Sequence, residues 1–129
     1  METGKQRKKE LAAAYTQTIR PVGVYQIRNT ANGKVWVDGT MDLGGASNRF
    51  DFMKQTNMNT IFELREDWKT FGSSCFVFEE LDRLKPKEEA AGDPGERARL
   101  QGELDVLLAL WLDKLQPYDD KGYNKRKRQ

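Results

Sequence analysis

A chain of 129 residues with 33% charged residues, 22 Lys/Arg against 20 Asp/Glu, one cysteine and no histidine is bounded in what it can do. The length fits one domain, no apolar run approaches the roughly 20 residues needed to span a bilayer, and the single Cys75 excludes an internal disulfide and a cysteine-based zinc site. The lack of histidine removes histidine-ligated metals and Ser–His or Cys–His nucleophilic pairs, so any catalysis falls to tyrosine, carboxylate or lysine.

In chain order, residues 5–19 (KQRKKELAAAYTQTI) predict a basic N-terminal helix, with Leu11, Ala14, Tyr15 and Ile19 at roughly helical spacing and Pro21 as its stop. Residues 22–27 alternate with both faces partly apolar, which predicts a strand. Asn-Thr-Ala-Asn-Gly at 29–33 predicts a turn, and KVWVD at 34–38 a second strand, completing a hairpin. Gly44-Gly45 precede an amphipathic stretch over 46–55, with Ala46, Phe50 and Met53 on one face. A third helix is predicted over 59–71, with Ile61, Phe62, Leu64 and Trp68 as its apolar set and Gly72 as its end. CFVFEEL at 75–81 reads as a third strand. The polar run KPKEEAAGDPGE, 85–96, reads as a mobile loop. Residues 97–116 predict a long helix with Leu100, Leu104, Leu107, Leu108, Trp111 and Leu115 on one stripe, ended by Pro117. Three short strands need helices to cover them, so the expected fold is α/β, a small sheet flanked by helices.

The near-neutral balance hides basic ends on an acidic body. Residues 1–28 carry six Lys/Arg against two Asp/Glu, and 121–129 carry five against none. Residues 29–120 carry eleven against eighteen, a balance of −7. Such arms either touch phosphate or merely keep the chain in solution. The opening METGKQRKKELAAAY has no apolar signal-peptide core, and with one free thiol a reducing cytoplasm is the expected location.

With Gly-Val-Tyr at 23–25, Asn-Gly-Lys at 32–34, Trp-Lys-Thr-Phe-Gly at 68–72, Cys-Phe-Val-Phe-Glu at 75–79, Trp-Leu-Asp-Lys-Leu at 111–115 and Gly-Tyr-Asn at 122–124, the chain resembles the GIY-YIG nuclease family over about residues 21 to 124. The resemblance implies a three-stranded, mainly antiparallel sheet flanked by helices; the basic helix at 1–20 and the basic tail at 125–129, read from the residues, lie outside it. It also implies the family's chemistry, DNA hydrolysis with one divalent metal. In that chemistry a tyrosine on the first strand helps deprotonate water and a second tyrosine assists proton traffic. An arginine stabilises charge on the phosphate, a glutamate holds the metal, and an asparagine supports the site.

Carried over position by position, the first tyrosine is present as Tyr25 and the closing asparagine as Asn124. The second tyrosine falls on Trp36, whose indole has no titratable hydroxyl. The glycine two residues later falls on Asp38, which shares a strand face with Trp36. The arginine position falls on Ala46, with Arg49 one turn later as a replacement. A histidine or tyrosine on the same helix falls on Phe50, and the metal-binding glutamate on Leu108. The frame is kept while most of the chemistry is lost.

Each retained or replaced residue also has a plain structural reading. Tyr25 is a base or a packed strand tyrosine. Asp38, with Asp105, is a rebuilt Mg²⁺ site or a solvated carboxylate. Arg49 meets a phosphate or a surface ion-pair partner. Trp36 stacks on a base or fills a groove. Trp68, Trp111 and Leu108 belong to apolar helical stripes and are expected in the core.

Three functions stay open. The first is a catalytically impaired nuclease-like domain that binds nucleic acid through Arg49, Lys5, Arg7, Lys8 and Lys9 and through Lys125, Arg126, Lys127 and Arg128. The second is a protein-interaction or regulatory module, favoured by the acidic middle. The third is a divergent nuclease rebuilt around Tyr25, Asp38 and Asn124. No cofactor is expected for the first two, and Mg²⁺ or Mn²⁺ for the third. No membrane partner is expected, and the composition fixes no oligomeric state.

Overall fold

The computed structural model describes residues 21–85 and 94–125. The basic helix predicted at 5–19, the run 86–93 within the predicted loop, and Arg126, Lys127 and Arg128 lie outside the described residues. Strand β1 (Val22–Asn29) and strand β2 (Val35–Thr40) form the hairpin. Gly33 closes its turn at φ +77°, a region that favours glycine, and Gly33 N–H donates to Asn29 O at 2.8 Å. Helix α1 (Leu43–Thr56) follows, its first turn capped by Asp42, whose Oδ1 accepts from Gly45 N at 3.0 Å. Its C-terminal cap, Asn57, adopts the left-handed conformation and accepts from Trp68 Nε1 at 3.1 Å.

The single helix predicted over 59–71 is instead a 3₁₀ turn (Phe62–Leu64) leading into a short helix α2 (Arg65–Phe71). Asn59 explains the delay: its Oδ1 accepts from Ile61 N at 2.9 Å and its Nδ2 donates to Ile61 O at 2.7 Å. This local bonding competes with helix formation at 59–61. Strand β3 (Phe76–Leu84) runs three residues beyond the predicted end at 81, because Arg83 and Leu84 pair with Gly23 and Val22. Helix α3 (Pro94–Leu115) starts within the predicted loop, with proline at its first position, where a missing N–H costs no hydrogen bond.

The sheet order is β2-β1-β3, both pairs antiparallel. Central β1 is buried on both faces, which accounts for its two-sided apolar pattern. Tyr25 and Ile27 join Leu43, Phe50, Met53, Leu64, Trp68 and Phe76 in one core under α1 and α2. Val22, Val24 and Val37 meet Leu100 and Leu104 of α3 on the other face. Each fully buried side chain of this size stabilises the fold by about 1.5–3 kcal/mol. Trp68 is buried as expected; Trp111 is only half-buried, and its Nε1 donates to Asp82 Oδ2 at 3.2 Å. A register shift against β3 at Val24/Tyr25 places Glu80 opposite Tyr25 and Asp82 opposite Val24.

The outer edge of β2 is covered by the chain after α3. Val35 N donates to Lys121 O at 3.3 Å, Tyr123 N donates to Val35 O at 2.9 Å, and Val35 bridges Gly122 in parallel. A Cβ on Gly122 would collide with the Pro117 backbone, so only glycine lets this segment turn back onto the edge. No helix among the described residues is long and apolar enough to cross a membrane.

Candidate functional site

Tyr25 lies mid-strand on the central strand, directly opposite Asp38 of β2. Its ring stacks on Phe78 at 4.8 Å between centroids and meets the edge of Trp36 at 6.0 Å. The residue is 6% exposed. Among the described residues none hydrogen-bonds its hydroxyl. Burial pushes the phenol up to about 12; the Asp38 carboxylate adds to the rise, and Arg49 opposes it. At neutral pH the group is therefore a protonated donor. To act as a base it would need a cation stronger than Arg49 beside it.

Asp38 is held above the usual carboxylate range, first by burial and then by the charge of Glu63, while the Gly39 N–H bond to its Oδ1 (2.9 Å) works the other way. The acidic neighbour that raises it is Glu63 of the 3₁₀ turn. Asp105, proposed from the sequence as a co-ligand, is exposed on α3 and accepts from Gln101 Nε2 at 3.0 Å. Glu63 carried no sequence signal, because its placement depends on the break at 59–61.

Arg49 is exposed on α1 and makes no ion pair with a described residue, and its charge acts on Tyr25, opposing the rise of the phenol. Ala46, one turn before it on that helix, and Phe50, the next residue, are buried. Phe50 sits edge-on to Trp68 at 6.5 Å and tilted against Phe78 at 5.9 Å. Trp36 is half-buried against the same core. Leu108 packs with the α3 cluster, on the face of the sheet opposite Tyr25.

Asn124 is brought to β2 as a clamp. Its Oδ1 accepts from Val37 N and its Nδ2 donates to Val37 O, so the side chain stands in for a neighbouring strand residue. Its neighbour Tyr123 is tied in by a second network. Asn29 Nδ2 donates to the Tyr123 hydroxyl at 3.1 Å, that hydroxyl donates to Asp67, and Asn32 Nδ2 donates to Asp67 Oδ2 at 3.0 Å. Gly-Tyr-Asn thus fastens the chain end to the hairpin and to α2.

A cation-lined aromatic at the same side was not legible in the sequence. Phe62 is 57% exposed, with the Arg65 guanidinium 3.6 Å from its ring centre and Lys125 Nζ at 5.3 Å. Of the basic tail residues singled out, Lys125 alone is within the described structure; Lys5, Arg7, Lys8 and Lys9 fall outside it.

Among the described residues the divalent metal of the nuclease chemistry finds no matching donor set. Leu108, where the resemblance would put a glutamate, is packed in a hydrophobic cluster. Among the described residues no group of three or more acidic, cysteine or histidine side chains is placed to hold a metal ion.

A three-stranded antiparallel sheet with helices on both faces, a tyrosine at the centre of its first strand and Gly-Tyr-Asn closing its edge, defines a GIY-YIG-like domain. Comparison with solved structures gives the same fold. The chain is similar to the catalytic domain of the homing endonuclease I-TevI, with a TM-score of 0.58 and 21% identity, over 82% of this chain and 99% of that one. A point mutant of the catalytic domain of the intron endonuclease I-TevI matches with a TM-score of 0.56 and 20% identity, over 81% of this chain and 92% of that one. No family model and no curated protein matches the sequence.

Proposed function

We propose that this domain uses a GIY-YIG-like scaffold to bind nucleic acid without cutting it. The observation that carries the reading is Arg49: an exposed guanidinium, without an ion-pair partner among the described residues, whose charge acts on Tyr25. A phosphate beside it gains a charge-assisted bond and displaces only water. Half-buried Trp36 and the cation-flanked Phe62 offer aromatic surface to an unpaired base. Hydrolysis is not supported by the same positions. Ala46, Phe50 and Leu108 are packing residues, and Tyr25 holds its proton.

Fluorescence anisotropy with single- and double-stranded DNA and RNA, over a salt series, tests the reading. Binding is expected to weaken with salt, and to weaken further in Arg49→Ala and on removal of residues 125–129. If binding is absent, or if Arg49→Ala and loss of both basic ends leave it unchanged, the reading is wrong. Cleavage that requires Mg²⁺ or Mn²⁺ and is lost in Tyr25→Phe would instead establish a rebuilt nuclease.

A second reading, a protein-interaction module, is favoured by one observation. The charge of Glu63 acts on the Asp38 carboxyl, so two acidic groups lie near each other within a body of acidic balance. A partner recovered in pull-downs that survive nuclease treatment supports it over the first reading.

A further inference from the structure

The chain between α1 and α2 is shaped by Asn59, which bonds both backbone groups of Ile61. Leu64 N then donates to Ile61 O at 3.1 Å, and the chain tightens into the 3₁₀ turn Phe62–Leu64 before α2 opens at Arg65. Leu64 is fully buried and anchors the turn in the core. In so tight a turn side chains three residues apart eclipse, so Phe62 and Arg65 leave the surface together. The Arg65 guanidinium lies 3.6 Å from the centre of the Phe62 ring, and its Nη1 donates to Phe62 O at 2.9 Å, which holds it there. Lys125, next to the Asn124 clamp on β2, puts its Nζ 5.3 Å from the same ring centre. Among the described residues a cation overlies four rings. Phe50 is buried, Tyr123 and Trp111 are half-buried, and Phe62 alone is exposed, at 57%. The Arg65 side chain is itself 52% exposed. Core packing accounts for the other three rings, whereas the Phe62–Arg65 pair faces solvent.

We propose that Arg65 and Phe62 form a stacking platform for an unpaired base, and that the domain on this account prefers single-stranded nucleic acid to duplex. The inference rests on the nucleic-acid reading above and names the form of its ligand. A planar guanidinium held against an aromatic ring presents its outer face to a third flat group, and bases stack on arginine planes as they do on aromatic rings. A base within a duplex has both faces covered by its neighbours, so only an unpaired one joins the stack. The charges around the platform nearly cancel. Arg65 and Lys125 stand against Glu63 of the same turn and Glu66, whose Oε1 is 4.0 Å from Arg65 Nη2 and whose side chain is 85% exposed. Flat contact, more than attraction for phosphate, is therefore what this spot supplies, and that sets it apart from Arg49. The same two glutamates repel an acidic peptide, which argues against such a partner here.

Fluorescence anisotropy of the full chain with a labelled DNA single strand, and with its duplex, tests the inference over a salt series. The single strand is expected to bind at least about fivefold more tightly, the low end of what stacking one base contributes. That ratio is expected to change with salt far less than either affinity, because stacking releases no counterions. Phe62→Ala and Arg65→Lys, both at exposed positions, are each expected to cut single-strand affinity about fivefold or more and to leave duplex affinity within about twofold. The lysine keeps the charge and removes the plane. An unchanged melting temperature checks that each variant folds. If the native chain binds neither form, the nucleic-acid reading and this inference fail together. If it binds duplex as tightly as single strand, if either variant keeps its single-strand affinity, or if a variant weakens both forms alike, this inference fails alone. A protein partner that nuclease treatment leaves bound and Phe62→Ala releases assigns the platform to a protein and overturns it as well.

Discussion

Asn124 holds Val37 by both backbone groups, accepting from its N–H at 2.8 Å and donating to its carbonyl at 2.7 Å. Eighty-seven positions separate the two residues in sequence. The clamp lies on the outer edge of β2, where strand groups otherwise face solvent. Asn124→Ala removes both bonds and is expected to lower stability by about 1–3 kcal/mol. In a domain of this size that is a fall of several degrees in melting temperature, on the order of 4 °C per kcal/mol. Urea unfolding followed by tryptophan fluorescence measures it. An unchanged midpoint would mean that the asparagine has no structural part and serves the cleft alone.

High pH reads two phenols, one buried and one half-buried. Tyr25 and Tyr123 are both raised to about 12, each by burial first. For Tyr25 the Asp38 charge adds to it, and for Tyr123 the hydrogen bond to Asp67 does. A group whose pKa is higher folded than unfolded contributes stability that is complete below its unfolded value, near 10, and is lost as pH rises through its folded value. Stability is therefore expected to fall between about pH 10 and 12, with a shallower fall in Tyr25→Phe. Ultraviolet difference titration should show two phenols ionising late. If all four tyrosines titrate together near 10, the packing around Tyr25 is wrong.

How far the sequence spoke for this domain depended on distance along the chain. The Asn-Gly turn at 32–33, the stop at Pro117 and the two-sided apolar strand around Val24 are local signals, and the elements formed where they pointed. Pro94-Gly95 reads as the end of a loop, but the same dipeptide can open a helix, and the helix whose leucine stripe packs on β1 and β2 begins there. Asn59 was misread, since its side-chain bonds to Ile61 outweigh the apolar periodicity around it. At the candidate site, Tyr25 and Asp38 were legible through the hairpin register. Glu63 was not, because only the tertiary fold carries it there.

Asp38→Asn separates charge from shape. The carboxyl is raised by burial and by Glu63, so folding disfavours its ionised form. Its contribution is complete below the unfolded pKa and is lost as pH rises through the folded one. The amide keeps an oxygen for Gly39 N–H and carries no charge. The variant is expected to be more stable than the native chain at pH 7 and no more stable at pH 3. Denaturant midpoints at the two pH values check the sign. Under the nucleic-acid reading it should also bind more tightly, roughly two- to tenfold at low salt, because a negative charge that opposes Arg49 at Tyr25 is removed. Weaker binding would point to an Asp38 that contacts the ligand itself.

Leu108→Glu tests the place where the resemblance and the packing disagree most. The side chain sits on the α3 stripe against Val22, Val24, Val37 and their neighbours, half-buried. A carboxylate there loses apolar contact and faces a desolvated wall, with an expected cost of about 1–3 kcal/mol. The glutamate that the resemblance would put there is therefore expected to weaken the fold, because the neighbouring surface is built for a hydrocarbon. Calorimetric titration with Mg²⁺ and Mn²⁺ completes the measurement. The native chain is expected to bind neither ion more tightly than about 1 mM, which is −4.1 kcal/mol. Tighter binding by the native chain would show that carboxylates such as Asp38 and Glu63 form a metal site of their own, and the proposal of a non-cutting domain would fail with it.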